Sequence, residues 1–435
     1  MRTWAGVLGV CLAALGSAAE EPIDRWLPEG TLFCLSIENP SRTAARLAGG
    51  RYAARRGDPA AQRIAVEAKT LLAAAREATV AGGDIWLGAF WELARGPILL
   101  AVVPSPGGAA PLVVIDAVAF RCHLARLADA GVLGPEVDRR GIRARAGGEG
   151  VGAVFWIEQG GVVAFSWRED AVATVARGLF EGGRGLAPRL AAVRGKLRAD
   201  ADALLYLPRE ALKELEDRNT DVAALGLPDG ITLGVAITLD PDAIDVRAFL
   251  FAPRPRRGVL ALLDRPNAGL DPPPFLPPGI PFVAARFDLS RLVGADAPPL
   301  ARSFVRALGD RFALAHVGGE QVFLAEVERE AWMRRLLSAF PGQGGVHEAP
   351  DGAAALRDGW LVAASRAGTV MDLLSEPRAP SPLDPALPRE RIACWWLPPT
   401  PLRRWDDPMG LFAGQAGALV NDADGLLLVH RVAIR

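Results

Sequence analysis

Cysteine, histidine, methionine and tyrosine are all scarce, at 4 Cys, 4 His, 4 Met and 2 Tyr in 435 residues. No Cys-x-x-Cys pair exists, so neither a dithiol redox centre nor a zinc ribbon is encoded. His123, His316, His347 and His430 lie far apart, and none has another His two, three or four positions away. No local His pair can therefore start a metal site. Lysine occurs only at positions 69, 196 and 213, so the cations are almost all Arg. An excess of either charge is missing too: 49 basic side chains balance 50 acidic ones. That balance excludes the electrostatic footprint of a nucleic-acid or anionic-membrane binder. Beyond the N-terminus no apolar run approaches the length of a transmembrane helix. Gly-x-Ser-x-Gly, His-Glu-x-x-His, Gly-Lys-Ser/Thr and Ser-x-x-Lys are absent. Their absence removes the hydrolases, zinc peptidases and nucleotide-binding loops that such motifs mark.

What is present begins with a leader. Arg2 gives a minimal basic n-region, Ala5 to Leu15 an apolar stretch, and Ser17-Ala18-Ala19 small residues before Glu20-Glu21-Pro22. This is the layout of a cleaved secretory signal over residues 1–19. The apolar segment before Cys11 is too short for lipoprotein processing there. The sequence thus predicts a soluble mature protein, periplasmic or secreted, with no transmembrane anchor after signal removal. Past the leader, Cys34, Cys122 and Cys394 remain, an odd number that does not make a disulfide framework. Cys34 and Cys394 sit in apolar runs and read as buried thiols, with a bridge between two of the three as the alternative.

The strongest internal signal is a stretch that occurs twice. Leu27-Pro28-Glu29-Gly30-Thr31-Leu32-Phe33, running on to Asn39-Pro40-Ser41-Arg42, returns as Leu276-Pro277-Pro278-Gly279-Ile280-Pro281-Phe282, running on to Asp288-Leu289-Ser290-Arg291. Leu27, Pro28, Gly30, Phe33, Ser41 and Arg42 each meet the same residue type 249 positions later. Repetition of that kind predicts one module written twice.

Periodicity and turn chemistry extend the parallel. In the first half they predict a strand over Thr31 to Ile37 and helices over Ser41 to Leu47 and Pro59 to Ala78, followed by the apolar run Ile85-Trp86-Leu87. A hairpin of Ile98 to Val103 with Leu112 to Ile115, a helix over Val118 to Ala130, and a hairpin of Ala153 to Ile157 with Val162 to Phe165 follow. Next come a helix over Glu169 to Leu179, a strand over Ala203 to Leu207, a helix over Arg209 to Asp217, and a hairpin of Ile231 to Leu239 with Ile244 to Phe251. The second half repeats this order in shortened form: Phe312 to Ala315 with Gln321 to Ala325, a helix over Glu330 to Leu337, and strands over Trp360 to Ala364 and Ile392 to Pro398. A hairpin of Ala418 to Val420 with Leu426 to Val432 closes it. Loop and helix are the parts expected to have shrunk.

The fold class expected is α+β: two tandem, related lobes, each a mainly antiparallel sheet with helices packed on one face. Residues 20–252 form the first lobe and 276–435 the second, shorter one. Residues 253–275 read as a stiff proline-rich connector. Within it Arg254, Arg256 and Arg257 read as solvated charges, with an anion site as the alternative.

Candidate sites are few. Asn39, Ser41 and Arg42 with Asp288, Ser290 and Arg291 are the one polar set present twice. Helix capping accounts for Asn39 and Asp288; a ligand or inter-lobe contact is the alternative for the set. Asp240-Pro241-Asp242 with Asp245, and Asn421-Asp422-Ala423-Asp424-Gly425, look like calcium loops but lack the downstream Glu, so they read as tight turns. Gly148 to Gly152 precedes a strand and is a loop, not a nucleotide fingerprint. His347-Glu348 falls in a Gly-rich loop without a visible third metal ligand. Isolated hydrogen-bonded histidines are expected at His316 and His430. Trp86, Trp91, Trp395, Trp396 and Trp405 read as core, some of them as cleft lining.

The opening Leu27-Pro28-x-Gly30-Thr31, the Trp86-Leu87-Gly88 segment with Ile98 to Val103, and the joint Pro272 to Pro281 resemble a group of exported bacterial proteins known as a domain of unknown function. In these a leader precedes a Leu-Pro-x-x-Thr strand, and a proline-rich joint precedes a second one. The resemblance covers most of the chain and implies an exported, two-lobed protein without an assigned activity. This sequence departs from the pattern at Ile280-Pro281, where Thr is absent.

Together these readings predict an exported, non-catalytic binding or structural module of the cell envelope, with no cofactor and no metal. Its partner would be an apolar ligand, an envelope component or another protein. The alternative is a periplasmic hydrolase whose site no motif marks. Paired carboxylates or a Ser–His contact in a pocket would favour the enzyme; an apolar groove favours binding.

Overall fold

The repeated Leu-Pro-x-Gly stretch makes the same turn at both places. Gly30 takes φ +86° and Gly279 φ +87°, a region that side chains with a Cβ rarely adopt. The turn closes by Thr31 N–H donating to Pro28 O at 3.2 Å, and by Ile280 N–H donating to Pro277 O at 3.4 Å. A strand follows each turn, at Phe33–Ile37 and Phe282–Arg286.

The computed structural model describes residues 26–28, 30–49, 51, 96–139, 141–147, 152–180, 187–197, 200–218, 231–256, 258–271, 273, 276–277, 279–291, 293, 296–375, 384–398 and 412–434. The helix expected over Pro59 to Ala78 and the apolar run Ile85 to Leu87 lie outside these residues, as do Trp91, Trp405 and Arg257. Described residues up to Arg42, from 96 to Ala192, and Ala203–Glu210 form one compact unit. Those from Thr43 to 51, Val193–Asp202, and from Ala211 onward form the other.

In the first unit β1 (Phe33–Ile37) leads to α1 (Pro40–Ala48). The unit continues with β2 (Ile98–Val103), β3 (Ala110–Asp116), α2 (Ala117–Asp129), β4 (Leu133–Arg139), β5 (Ile142–Gly147), β6 (Val154–Gln159), β7 (Val162–Ser166), α3 (Glu169–Phe180) and β8 (Ala203–Leu207). All pairings are antiparallel, in the order β8–β1–β2–β3–β7–β6–β5–β4. The Gly160-Gly161 turn between β6 and β7 takes positive φ at both residues, the backbone that a two-residue hairpin with twisted strands requires. α2 starts because Asp116 caps it: its carboxylate accepts from Val118 N at 2.9 Å and Ala119 N at 3.0 Å.

The second unit contains β9 (Thr232–Asp240), β10 (Ala243–Phe251), β11 (Ala268–Gly269), β12 (Phe282–Arg286), α4 (Pro299–Val305), β13 (Leu308–Val317), β14 (Glu320–Val327), α5 (Glu330–Leu337), β15 (Gly342–Gln343), β16 (Val346–Ala349), β17 (Gly352–Arg357), β18 (Trp360–Ala364), α6 (Ala367–Ser375), β19 (Glu390–Arg391), β20 (Ala393–Leu397), β21 (Phe412–Asn421) and β22 (Gly425–Ile434). Its sheet is again antiparallel, ordered β9–β10–β22–β21–β20–β12–β13–β14–β18–β17–β16–β15. β11 pairs separately with β19.

Expected elements and observed ones agree closely where a strand is apolar on its buried face. β4 and β5 were not anticipated, and neither were β15 to β17. β4 buries only its first residue, Leu133, so no alternating core signal marks it.

Two expectations need correction. The first is that helices pack on one face. In the second unit Val370 and Leu373 of α6 pack with Phe282, Ala313, Leu324 and Val362. Met333 and Leu337 of α5 pack with Phe312, Ala325 and Leu361. Ala313 neighbours Phe312 in β13, and Leu324 neighbours Ala325 in β14, so the two helices cover opposite faces. These strands are apolar on both sides, which is why both need cover. The first unit is buried on both faces as well: Val113, Ile115 and Phe165 join Phe120 of α2, while Leu112, Val114 and Ala164 between them are also buried.

The second correction concerns Arg256, which is no solvated linker residue. Its side chain is fully buried. It donates to Ala252 O at 2.9 Å, Gly425 O at 2.7 Å, Asp422 O at 2.6 Å, and the Asn421 carboxamide oxygen. A planar guanidinium can satisfy four acceptors at once, and so it staples the segment after β10 to the β21–β22 turn.

Candidate ligand-binding groove

One lateral row of the second sheet is open to solvent. Strand register places Val283, Leu314, Phe323, Ala363 and Ala354 side by side across β12, β13, β14, β18 and β17. Paired residues point to the same face. Along the strands the adjacent row on that face, Phe312, Ala325 and Leu361, is buried under α5. The open row is not: Val283 is 47% exposed, Leu314 46% and Phe323 39%. Apolar side chains left uncovered in a row are more informative than scattered ones.

Part of this row floors a groove of about 870 Å³, a volume typical of small-molecule sites. Leu314, Phe323, Ala354 and Ala363 form the floor. Phe304 of α4, Leu336 and Leu337 of α5, and Phe340 after it form the apolar wall. Phe323 stacks on Phe312 with ring centroids 6.2 Å apart. Glu320, Gln321, His347, Asp351, Ser365 and Arg366 supply the polar rim.

The rim is largely occupied with itself. Arg366 Nε lies 2.6 Å from Glu320 Oε1, and the Thr369 hydroxyl donates to Glu320 Oε2 at 2.9 Å. His347 Nδ1 lies 3.3 Å from Phe340 O. His347 and Glu348 stand in β16 rather than in a loop, and adjacent strand residues point to opposite faces, so they cannot share a metal ion. No group of three His, Cys, Asp or Glu among the described residues could hold a metal.

The sheet row runs past the groove. From Val283 it continues through Trp395, Gly417 and His430. The Trp395 indole lies against Gly417, where any Cβ would collide with it. His430 is a hydrogen-bonded strand residue, as expected, and burial lowers its pKa from the usual imidazole value.

The six polar residues singled out by repetition lie outside the groove. Asn39 caps α1, its carboxamide accepting from Arg42 N at 2.8 Å, with Ser41 and Arg42 in the first turn. Asp288, Ser290 and Arg291 meet one another in a single 3₁₀ turn, Leu289–Arg291. Asp288 accepts from the Ser290 hydroxyl, which with nearby Arg265 and Arg291 draws its carboxyl below the usual range. Arg291 Nε lies 3.3 Å from Asp288, and its Nη1 donates to Ala261 O at 2.9 Å. In both places the side chains hold the chain as it leaves a strand.

The two calcium-like turns are tied up by cations. Arg431 lies 3.7 Å from Asp240, 3.6 Å from Asp242 and 3.1 Å from Asp245, and reaches Asp384 at 3.5 Å. Lys196 lies 2.8 Å from Asp422 and 3.1 Å from Asp424. Among the described residues no disulfide joins any two of Cys34, Cys122 and Cys394.

Sequence reasoning placed Leu314, Phe323 and Ala363 in strands but marked none of the floor residues as a site, and it missed the strand of Ala354. Its signal was the short Gly352 to Arg357 stretch between two turn signals, Pro350-Asp351 and Asp358-Gly359, whose alanines carry no strong strand preference.

No family model matches the chain, and no curated protein matches it. Among solved structures, crystal form I of TP0453 is similar with a TM-score of 0.30 and 10% identity, covering 55% of this chain and 82% of that one. Crystal form III of TP0453 is similar with a TM-score of 0.29 and 9% identity, covering 82% of this chain and 99% of that one. Likeness of that degree assigns neither fold nor activity.

Proposed function

We propose that this chain is an exported, non-catalytic binding protein of the cell envelope, built from two tandem copies of one sheet module, and that its second copy holds an apolar small molecule. The single observation that carries the binding reading is the 870 Å³ groove with its floor of Leu314, Phe323, Ala354 and Ala363. One of its two rim acids, Glu320, is already engaged by Arg366 and Thr369.

Duplication is supported by connectivity. Eight strands of the second unit, β20–β12–β13–β14–β18–β17–β16–β15, follow the order of β8–β1–β2–β3–β7–β6–β5–β4 in the first. The same backbone bond closes both: Ala117 N–H donates to Gly161 O at 2.8 Å, and Val327 N–H to Gly359 O at 2.7 Å. Export rests on the leader-like pattern of residues 1–19.

Native mass spectrometry of the chain purified from its own cell tests the binding reading. The expected result is a non-covalent adduct on the wild type that is lost in Ala363→Phe, where an added ring occupies the floor. A wild-type chain that carries no adduct, and takes up neither an aromatic fluorophore nor an acyl chain, overturns it.

A further inference from the structure

The groove is open because of what stands at two positions. Ala117 N–H to Gly161 O in the first unit and Val327 N–H to Gly359 O in the second are equivalent bonds, and they set the correspondence of the two sheets residue by residue. Counting from those bonds, the row Leu100, Val113, Phe165, Trp156 of the first unit corresponds to Leu314, Phe323, Ala363, Ala354 of the second. Phenylalanine and tryptophan in one row stand where the other has two alanines.

The first row is closed by rings. Phe120, from α2, packs with its centroid 5.0 Å from Phe165 and 5.6 Å from Trp156, and all three are essentially buried. α2 is 13 residues long, whereas α5, in the same place after the strand, is 8. The shorter helix brings Met333 and Leu337 over the neighbouring row, with Trp332 half-buried beside them, and the side chains it gives to the groove that Ala363 lines are Leu336 and Leu337. The second unit therefore has an aromatic layer's place without the aromatic layer. Rings remain around it: Phe323 in the floor, Phe304 and Phe340 in the wall, with Phe323 and Phe340 each 39% exposed.

On the reading that this groove binds an apolar small molecule, we propose that its ligand is a neutral, planar, ring-bearing compound that takes the place filled in the first unit by Phe120, Phe165 and Trp156. Aromatic faces and edges reward such a ligand beyond simple area burial. Glu320 and Arg366 neutralise each other at the rim, and the further acid there, Asp351, disfavours an anionic head group. Gln321 and Ser365 offer hydrogen bonds to one polar substituent at the mouth.

The test is competition between ring and chain on the full-length protein. N-phenyl-1-naphthylamine is titrated by fluorescence, then challenged with palmitate and separately with an unlabelled fused-ring compound, pyrene. The expected result is saturable uptake of the naphthylamine, displacement by pyrene, and little displacement by palmitate. Phe323→Leu should weaken the naphthylamine about 3- to 10-fold, the range of one aromatic contact, and Ala363→Phe should abolish uptake. Leu314→Asn, at an exposed position, weakens binding without a core defect should Ala363→Phe fail to fold. Displacement by palmitate as strong as by pyrene, with Phe323→Leu neutral, overturns the ring inference and leaves groove binding standing. Failure of both ring and chain to bind the wild type overturns the two together.

Discussion

Trp395 donates its indole N–H to Nδ1 of His430 at 3.2 Å, and the two rings stack with centroids 5.8 Å apart. Accepting that bond requires Nδ1 to be bare, so the imidazole is neutral with its proton on Nε2. Burial favours this state, holding the His430 pKa below the usual value. A depressed imidazole pKa means the unfolded chain binds the proton more readily, so acidification from pH 7 destabilises the folded unit. The loss begins as pH falls through the unfolded value near 6.5 and is complete below the folded pKa. His430→Gln should remove part of the pH dependence of the thermal midpoint between pH 7 and 5. His123, also held low by burial and by Arg126, should supply another part. A midpoint slope unchanged by the substitution contradicts this.

Gly417 is the other support of that indole. Gly417→Ala places a methyl where Trp395 lies. The ring must leave its seat or the strand must shift, which costs about 1–3 kcal/mol. Chemical denaturation should show the loss, and tryptophan emission should shift to the red as the ring meets water.

Arg256 makes a third prediction. Its four acceptors are Ala252 O, Asn421 Oδ1, Asp422 O and Gly425 O, and its side chain is fully buried. Arg256→Met strands those acceptors and should cost about 3 kcal/mol. Arg256→Lys keeps the charge but offers three donors from one point in place of a planar fork, so it should rescue little. Full rescue by Lys in urea unfolding would show that charge, and not geometry, matters there.

Legibility followed burial of one face. Gly160-Gly161 announced its hairpin because both residues of the turn need positive φ; Asp358-Gly359 has the same backbone, but the alanine-rich strand before it, β17, carried no comparable pattern. Trp360–Ala364 and Glu330–Leu337 fell where periodicity put them. β4 did not, because Pro135, Glu136, Asp138 and Arg139 are exposed edge residues that carry no core pattern. The burial of Arg256 was hidden for another reason: three of its four acceptors come from residues more than 160 positions onward, which no local reading can assemble. The groove was hidden because it depends on what Ala354 and Ala363 leave unfilled, and only a register between strands reveals that.

Thiol chemistry separates the three described cysteines. Cys122 is exposed on α2, whereas Cys34 and Cys394 are buried. Desolvation pushes the Cys394 thiol up to about 11, with the nearby Arg391 opposing the shift only in part. The thiolate is the reactive form, so Cys394 should be inert at pH 8. Of these three, iodoacetamide should modify Cys122 alone in the native protein, with Cys34 and Cys394 following only in denaturant.

The last prediction concerns acid stability in the first unit. Asp170, at the start of α3, is bound by Arg168 through Nε at 3.0 Å and through Nη2 at 2.5 Å, and accepts from Gly107 N at 3.2 Å. The Arg168 hydrogen bonds are the main reason its carboxyl is drawn down to about 2. A lowered carboxylate pKa contributes stability that is complete above the unfolded value near 3.8 and is lost as pH falls through about 2. Asp170→Asn should therefore destabilise the first unit at pH 7. The gap between the variant and the wild type should narrow as pH drops from 4 towards 2. Unfolding followed by circular dichroism across that window reads the effect directly. A gap that stays constant down to pH 2 would mean that Asp170 acts through packing and that its charge contributes nothing.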